Sequence, residues 1–239
     1  MKRTILYETH KALQAKLVSF AGWEMPLQYP SGPIEEHRRV RRSAGLFDTS
    51  HMGRLRVTGA GSQAFLDNLL TARLSDLSPG FSRYSLMLRQ DGGVLDDLFV
   101  YRLKEQEWLL VVNASNTEKD LNWIQNQAAN LAAGSVEVED ISEKLGMLAF
   151  QGPRALEVVR KIFTQEEGKP WIPPERLGWA WGWLPQSSSL RCLLGRTGYT
   201  GEDGVEIFPP WEQTPMVFHS LLKAAQDLGI EAGPAGLAA

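Results

Sequence analysis

Two adjacent carboxylates, Asp96 and Asp97, stand in the middle of the apolar run YSLMLRQDGGVLDDLFVY at residues 84–101. A charge among apolar neighbours costs free energy unless it is hydrogen-bonded, paired or neutralised by a raised pKa. Carboxyls held in that way are suited to stabilising positive charge and to moving protons. Asp91, Gly92 and Gly93 are residue types that supply φ > 0 in a tight hairpin, so residues 84–89 and 94–103 are expected to be antiparallel neighbours. Alternation puts Val94, Asp96, Leu98 and Val100 on one face and Leu95, Asp97, Phe99 and Tyr101 on the other. Whichever face meets the core, one Asp lies among apolar side chains. The alternative is a strand-end bulge in which both carboxylates cap backbone amides.

Other elements must position this hairpin. Residues 1–30 read as a short amphipathic helix, around residues 8–17, followed by FAGWEMPLQYP, a segment expected to wrap a core without regular structure. Pro33 opens a helix that Gly45 closes, and its face carries Arg38, Arg39, Arg41 and Arg42 against Glu35 and Glu36. That face is either solvated surface or a dock for an acidic partner. A strand at 54–58, a helix from Ser62, the hairpin, an extra strand in WLLVVNA (108–114), a helix whose capped start reads in Thr117, Glu118, Lys119 and Asp120, and a strand at 135–139 follow. This order is close to a split βαβ unit. A second pass comprises a strand at 145–151, a helix after Gly152-Pro153, a strand pair 190–195 and 204–208, and a helix from Thr214 to Gly229, with the closing strand barely present. The Trp-rich stretch at 169–189 reads as an irregular loop or edge. The fold class expected is α+β with two interleaved antiparallel-sheet lobes, residues 1–47 plus 141–239 and residues 48–140.

Composition narrows the function classes. A chain of 239 residues can bury a sizeable core, and a net charge of -3 argues against nucleic acid as partner. Cys192 is the only cysteine, so no internal disulfide can form and a reducing compartment is expected. No cationic leader precedes an apolar run and no stretch is long enough to span a bilayer, so the reading is cytoplasmic. No His, Cys or carboxylate spacing suits a metal site.

The segments YETHKAL, FAGWEMPLQYP, GLFDTSHMG, YSLMLRQDGGVLDDLFVY, LVVNASNTEKDL, FQGPRAL, RTGYTGEDGVEIF and PAGLAA occur in that order from about Tyr7 to the last residue. Together they resemble the aminomethyltransferase of the glycine cleavage system, the T-protein family. The resemblance implies a folate-binding fold of that type. It also implies transfer of a one-carbon unit to tetrahydrofolate, with release of ammonia, from the aminomethyl-lipoyl arm of a lipoylated H-protein. The family's catalytic carboxylate falls on Asp97, where it would stabilise the positive carbon left as ammonia departs and help move the folate proton. Folate contacts fall on Tyr199, Glu206, Asn113 and Met52, with Tyr84 and Tyr101 as further aromatic neighbours. A Glu can accept two hydrogen bonds from a pterin edge.

The resemblance stops at PAGLAA, before an Arg that grips the folate in the family and before a C-terminal β-domain. Weak folate binding is therefore expected of this chain. Two rivals share the fold. One is a non-catalytic folate-binding module related to iron-sulfur assembly factors, whose cysteine is missing from GRTGYTGED. The other is the folate half of a dimethylglycine or sarcosine dehydrogenase, whose flavin fingerprint is missing here.

Overall fold

The computed structural model describes residues 1–185 and 190–239. The chain forms two compact units, residues 1–51 with 144–239 and residues 52–143. Both are α+β.

The unit of residues 52–143 is a five-stranded antiparallel sheet with the order Ser82–Leu88, Val94–Lys104, Glu107–Val112, Gly53–Thr58, Glu137–Asp140. Without the first of these strands, the order is that of a ferredoxin-like split βαβ. The additional strand is thus Ser82–Leu88, at the sheet edge, rather than the WLLVV strand. The helices Ser62–Leu69 and Thr117–Ala128 contribute Phe65, Leu66 and Ile124 to a core with Leu55, Val57, Leu98, Val100, Trp108 and Leu110. The expected capping role of Thr117 is not realised. Asn116 occupies the cap position but its side chain makes no capping bond to the helix, and the Thr117 hydroxyl donates back to the carbonyls of Asn113 and Ala114.

The other unit holds a six-stranded sheet with the order Trp179–Trp183, Arg191–Gly195, Gly204–Phe208, Leu148–Gln151, Ala44–Asp48, Ala232–Pro234. The closing strand is present, but short. It pairs in parallel with Ala44–Asp48, which lies between it and Leu148–Gln151. Trp179–Trp183 is the opposite edge strand, so part of the Trp-rich stretch is regular; residues 186–189 of that stretch lie outside the described residues. The helices Ala155–Ile162 and Thr214–Asp227 cover one face with Val158, Val159, Val217, Phe218 and Leu221 against Leu46, Phe150, Val205 and Ile207. Cys192 is buried in this core, and burial pushes its thiol pKa up, as suits an inert packing residue.

Three expectations for the N-terminal 50 residues fail. The first helix is only Tyr7–Ala12. The segment after it is a regular hairpin, Lys16–Phe20 against Trp23–Gln28, turning on Ala21 and Gly22, both with φ > 0. The arginine-bearing helix spans Pro33–Arg42, and Gly45 is a strand residue. A Cβ on Gly45 would stand 2.3 Å from Val40 Cγ2, so the glycine serves close helix-strand packing and not helix termination. Arg39, Arg41 and Arg42 are engaged within the unit by the Pro234 carbonyl, Glu202, and Glu35 with Glu231.

A buried polar cluster clips the first helix to the sheet. Asp48 Oδ2 accepts from Thr4 Oγ1 at 2.6 Å and from His10 Nε2 at 2.9 Å, while Oδ1 accepts from the Ser50 N–H at 2.9 Å. A carboxylate only accepts, so Nε2 carries the donated proton, while Nδ1 lies within hydrogen-bond distance of the Tyr29 hydroxyl, at 2.9 Å. Burial pushes Asp48 up, but the His10, Thr4 and Ser50 hydrogen bonds outweigh it and leave the carboxyl below the usual range.

Candidate functional site

The hairpin forms with the predicted pairing, Leu86 opposite Asp97 and Met87 opposite Asp96. Only Gly92 of its three turn residues has φ > 0. Asp91 instead accepts the Gly93 N–H at 3.0 Å. Alternation then decides which carboxylate is which. Asp96 shares the helix-covered face with Leu98 and Val100 and is buried, whereas Asp97 shares the other face with Phe99 and is partly exposed.

Asp97 is held from two sides. Tyr84 Oη donates to Oδ2 at 3.1 Å, and Asn113 Nδ2 approaches Oδ1 at 3.1 Å and the Asp97 carbonyl at 3.0 Å. The ring of Tyr84, 49% exposed, stands edge-on to Phe99 with centroids 5.7 Å apart. Of the residues singled out in the sequence, Tyr84 and Asn113 therefore both meet Asp97. Tyr101 is fully buried, tilted against Phe99. Met52 is partly buried, and its carbonyl accepts the Arg54 guanidinium.

Asp96 accepts three hydrogen bonds: Asn116 Nδ2 at 2.6 Å and Asn113 Nδ2 at 2.9 Å on Oδ1, and the Asn113 N–H at 3.0 Å on Oδ2. A further partner was not foreseen. Asp120, read from the sequence as part of a helix start, is fully buried beside Asp96, and no N–H or hydroxyl of the described residues reaches its carboxyl. Lys119 Nζ lies 3.8 Å from Oδ1. Burial first, then the hydrogen bond to Asp96 and its charge, push Asp120 up to about 8, with Lys119 opposing. Burial also pushes Asp96 up, but the hydrogen bonds from Asp120, Asn113 and Asn116 prevail and hold it below the usual carboxylate range. The two shifts run in opposite directions, which favours the proton on Asp120 and the charge on Asp96. The available signal was Asn116 and Asp120 spaced one helical turn apart, after Asn113.

In the other unit, Tyr199 and Glu206 lie on and beside the loop 196–203. Tyr199 is 56% exposed. It lines a cleft of about 350 Å³ with His37, Arg41, Phe47 and Thr200. Glu206 is buried, on the sheet face opposite the helix-side residues Val205 and Ile207, and its Oε2 accepts from Thr197 Oγ1 at 2.5 Å. Gln151, the Gln of FQGPRAL, braces this loop. Its Nε2 lies 3.1 Å from the Thr197 carbonyl and 3.2 Å from that of Val205, and its Oε1 accepts from Thr200 Oγ1 at 3.0 Å. His51 is buried edge-on against Phe20. We expect Gln151→Ala to cost about 1–3 kcal/mol, the penalty for leaving buried carbonyls without donors. Amide exchange in 196–203 should quicken with it; unchanged protection of that loop would show that Gln151 is not its brace.

A family model described as the GCVT N-terminal domain matches residues 6–239. Among curated relatives, an aminomethyltransferase from Desulfitobacterium hafniense is 43% identical over 239 residues, covering all of this chain and 62% of that relative. One from Caldanaerobacter subterraneus is 42% identical over 241 residues, with 61% of its length covered. The chain thus spans less than two thirds of the curated relatives it matches. The crystal structure of glycine cleavage system aminomethyltransferase T from Bartonella henselae superposes with a TM-score of 0.84 at 35% identity, over 99% of this chain and 60% of that one. A heterotetrameric sarcosine oxidase from Corynebacterium, at 19% identity and a TM-score of 0.60, shares the fold.

Proposed function

The chain belongs to the GCVT N-terminal domain family, and from that premise we propose that it carries the one-carbon transfer chemistry of a glycine cleavage aminomethyltransferase. The donor is the aminomethyl-lipoyl arm of a lipoylated H-protein, ammonia is released, and tetrahydrofolate is the accepting substrate. The observation that carries this reading is the Asp97 carboxylate, partly exposed and held by the Tyr84 hydroxyl and the Asn113 amide. A carboxylate fixed in this way faces developing positive charge without reorganising, and it can accept a proton from an attacking amine. The residues also suit a folate. Tyr84 and Tyr199 each offer a half-exposed aromatic ring, and Glu206 is a buried carboxylate with an acceptor's chemistry for a pterin edge. Tetrahydrofolate supplies the nucleophilic nitrogen. Tyr199, Glu206, Asn113, Met52, Tyr84 and Tyr101 are assigned to binding it, and Asp97 to catalysis.

The test is ammonia release from aminomethyl-loaded H-protein, run with and without tetrahydrofolate. Folate-dependent release is expected, at a rate that rises when the chain is supplied with the remainder of its relatives' length. Folate binding with no release under either condition would favour the non-catalytic module instead.

A further inference from the structure

We propose that Asp120 is a positioning residue for this transfer: its buried carboxyl, left without another partner among the described residues, donates a hydrogen bond to Asp96 and, through Asp96, fixes the Asn113 amide that holds Asp97. The inference rests on the functional reading above and extends it to a side chain that does not touch substrate.

The connectivity leaves little freedom. Asn113 Nδ2 has two hydrogens and meets three acceptors, Asp96 Oδ1, Asp97 Oδ1 and the Asp97 carbonyl, at 2.9, 3.1 and 3.0 Å. Its orientation therefore depends on where Asp96 sits. Asp96 Oδ1 already accepts twice and Oδ2 once, so Oδ2 has capacity for one more donor. Asp120, fully buried and reached by no N–H or hydroxyl of the described residues, satisfies itself and Asp96 by carrying a proton and donating it. The charged groups acting on Asp120 are Asp96 from the strand Val94–Lys104 and Lys119 on its own helix. Lys119 Nζ is directed onto the Leu95 carbonyl at 2.6 Å and Asn116 Oδ1 at 3.0 Å. Loss of the Asp120 proton would set two buried carboxylates against each other, displace Asp96, and release Asn113 from Asp97. The reaction would then have an alkaline limit set by a group outside the substrate site, with the pair titrating as a unit near pH 8.

Two variants and two readouts test this. Asp120→Asn keeps a donor toward Asp96 and cannot ionise; Asp120→Ala removes the donor. In the transfer assay we expect Asp120→Asn to retain neutral-pH activity while its alkaline limb moves upward by at least about one pH unit. Asp120→Ala should lose about tenfold to a hundredfold in kcat with KM little changed, as for a misplaced catalytic group. Carbon NMR of aspartate-labelled protein reads the same device without activity. The parent should show a carboxyl titrating near pH 8 that is lost in Asp120→Asn, with the Asp97 signal following it only in the parent. No such titration, an Asp97 signal indifferent to it, or equal behaviour of the Asn and Ala variants would overturn the proposal. Transfer missing from the parent, with the NMR response intact, would refute the functional reading while supporting the coupling of Asp120 to Asp97.

Discussion

Asp97→Asn is expected to fold like the parent and to lose about a hundredfold or more of its transfer rate. The amide is isosteric and can still meet Tyr84 Oη and Asn113 Nδ2, both within 3.1 Å, after a rotation, so the hairpin has no reason to move. It cannot carry the negative charge that, in the proposed reaction, would face the carbon left as ammonia departs, and removing one such electrostatic contact costs about 3 kcal/mol or more. Single-turnover ammonia release alongside denaturant unfolding separates the two effects. A parent-like rate would remove Asp97 from the chemistry. Asp96→Asn is a poor control, although the sequence suggests it as a silent one. Asp96 is the acceptor for three nitrogen donors and for Asp120, so its amide should unfold at lower denaturant and transfer less well through Asn113.

The second large effect is on stability. Asp48→Ala is expected to cost about 3–5 kcal/mol, because it leaves Thr4 Oγ1, His10 Nε2 and the Ser50 N–H buried without their common acceptor. The acid side carries a second signature. The folded pKa of Asp48 lies below its unfolded value, so its contribution is present above about pH 4 and is lost as pH falls through the lowered folded value. Urea unfolding at neutral pH and at about pH 3 should show the gap between parent and Asp48→Ala narrowing in acid. A neutral-pH difference under about 1 kcal/mol would mean that water replaces the lost carboxylate.

The elements that were legible are those whose pattern is local. Gly92 between two apolar runs announced the hairpin, and alternation separated Asp96 from Asp97 before any coordinates. The motifs around Asp97, Asn113, Tyr199 and Glu206 led to the family that the comparisons bear out. What escaped depends on contacts distant in sequence. Gly45 was read as a helix stop because local rules favour glycine there, yet its smallness is demanded by Val40 across a helix-strand contact. Lys16 and Leu17 were read as the end of a helix because the partner of their strand begins only after a turn at Ala21 that no propensity favours. Asp120 was taken for helix punctuation because its meaning lies in a carboxylate 24 positions earlier. In the sequence, GLFDTSHMG drew attention to Met52, whereas the buried acceptor of that motif is Asp48.

The strand Ala44–Asp48 lies between Leu148–Gln151 and Ala232–Pro234, and this has a consequence for the order in which the chain can be built. Residues 52–143 contain all five strands of their own sheet and can close as soon as they leave the ribosome. The first 51 residues emerge earlier but must wait about a hundred residues for a neighbour to Leu46, and until the last helix is made for the strand on its other side. Such distant pairings form late and leave apolar strands open to wrong partners in the meantime. Leu6, Met25 and Leu46, all without solvent exposure in the finished structure, are the side chains a chaperone would have to shield during synthesis.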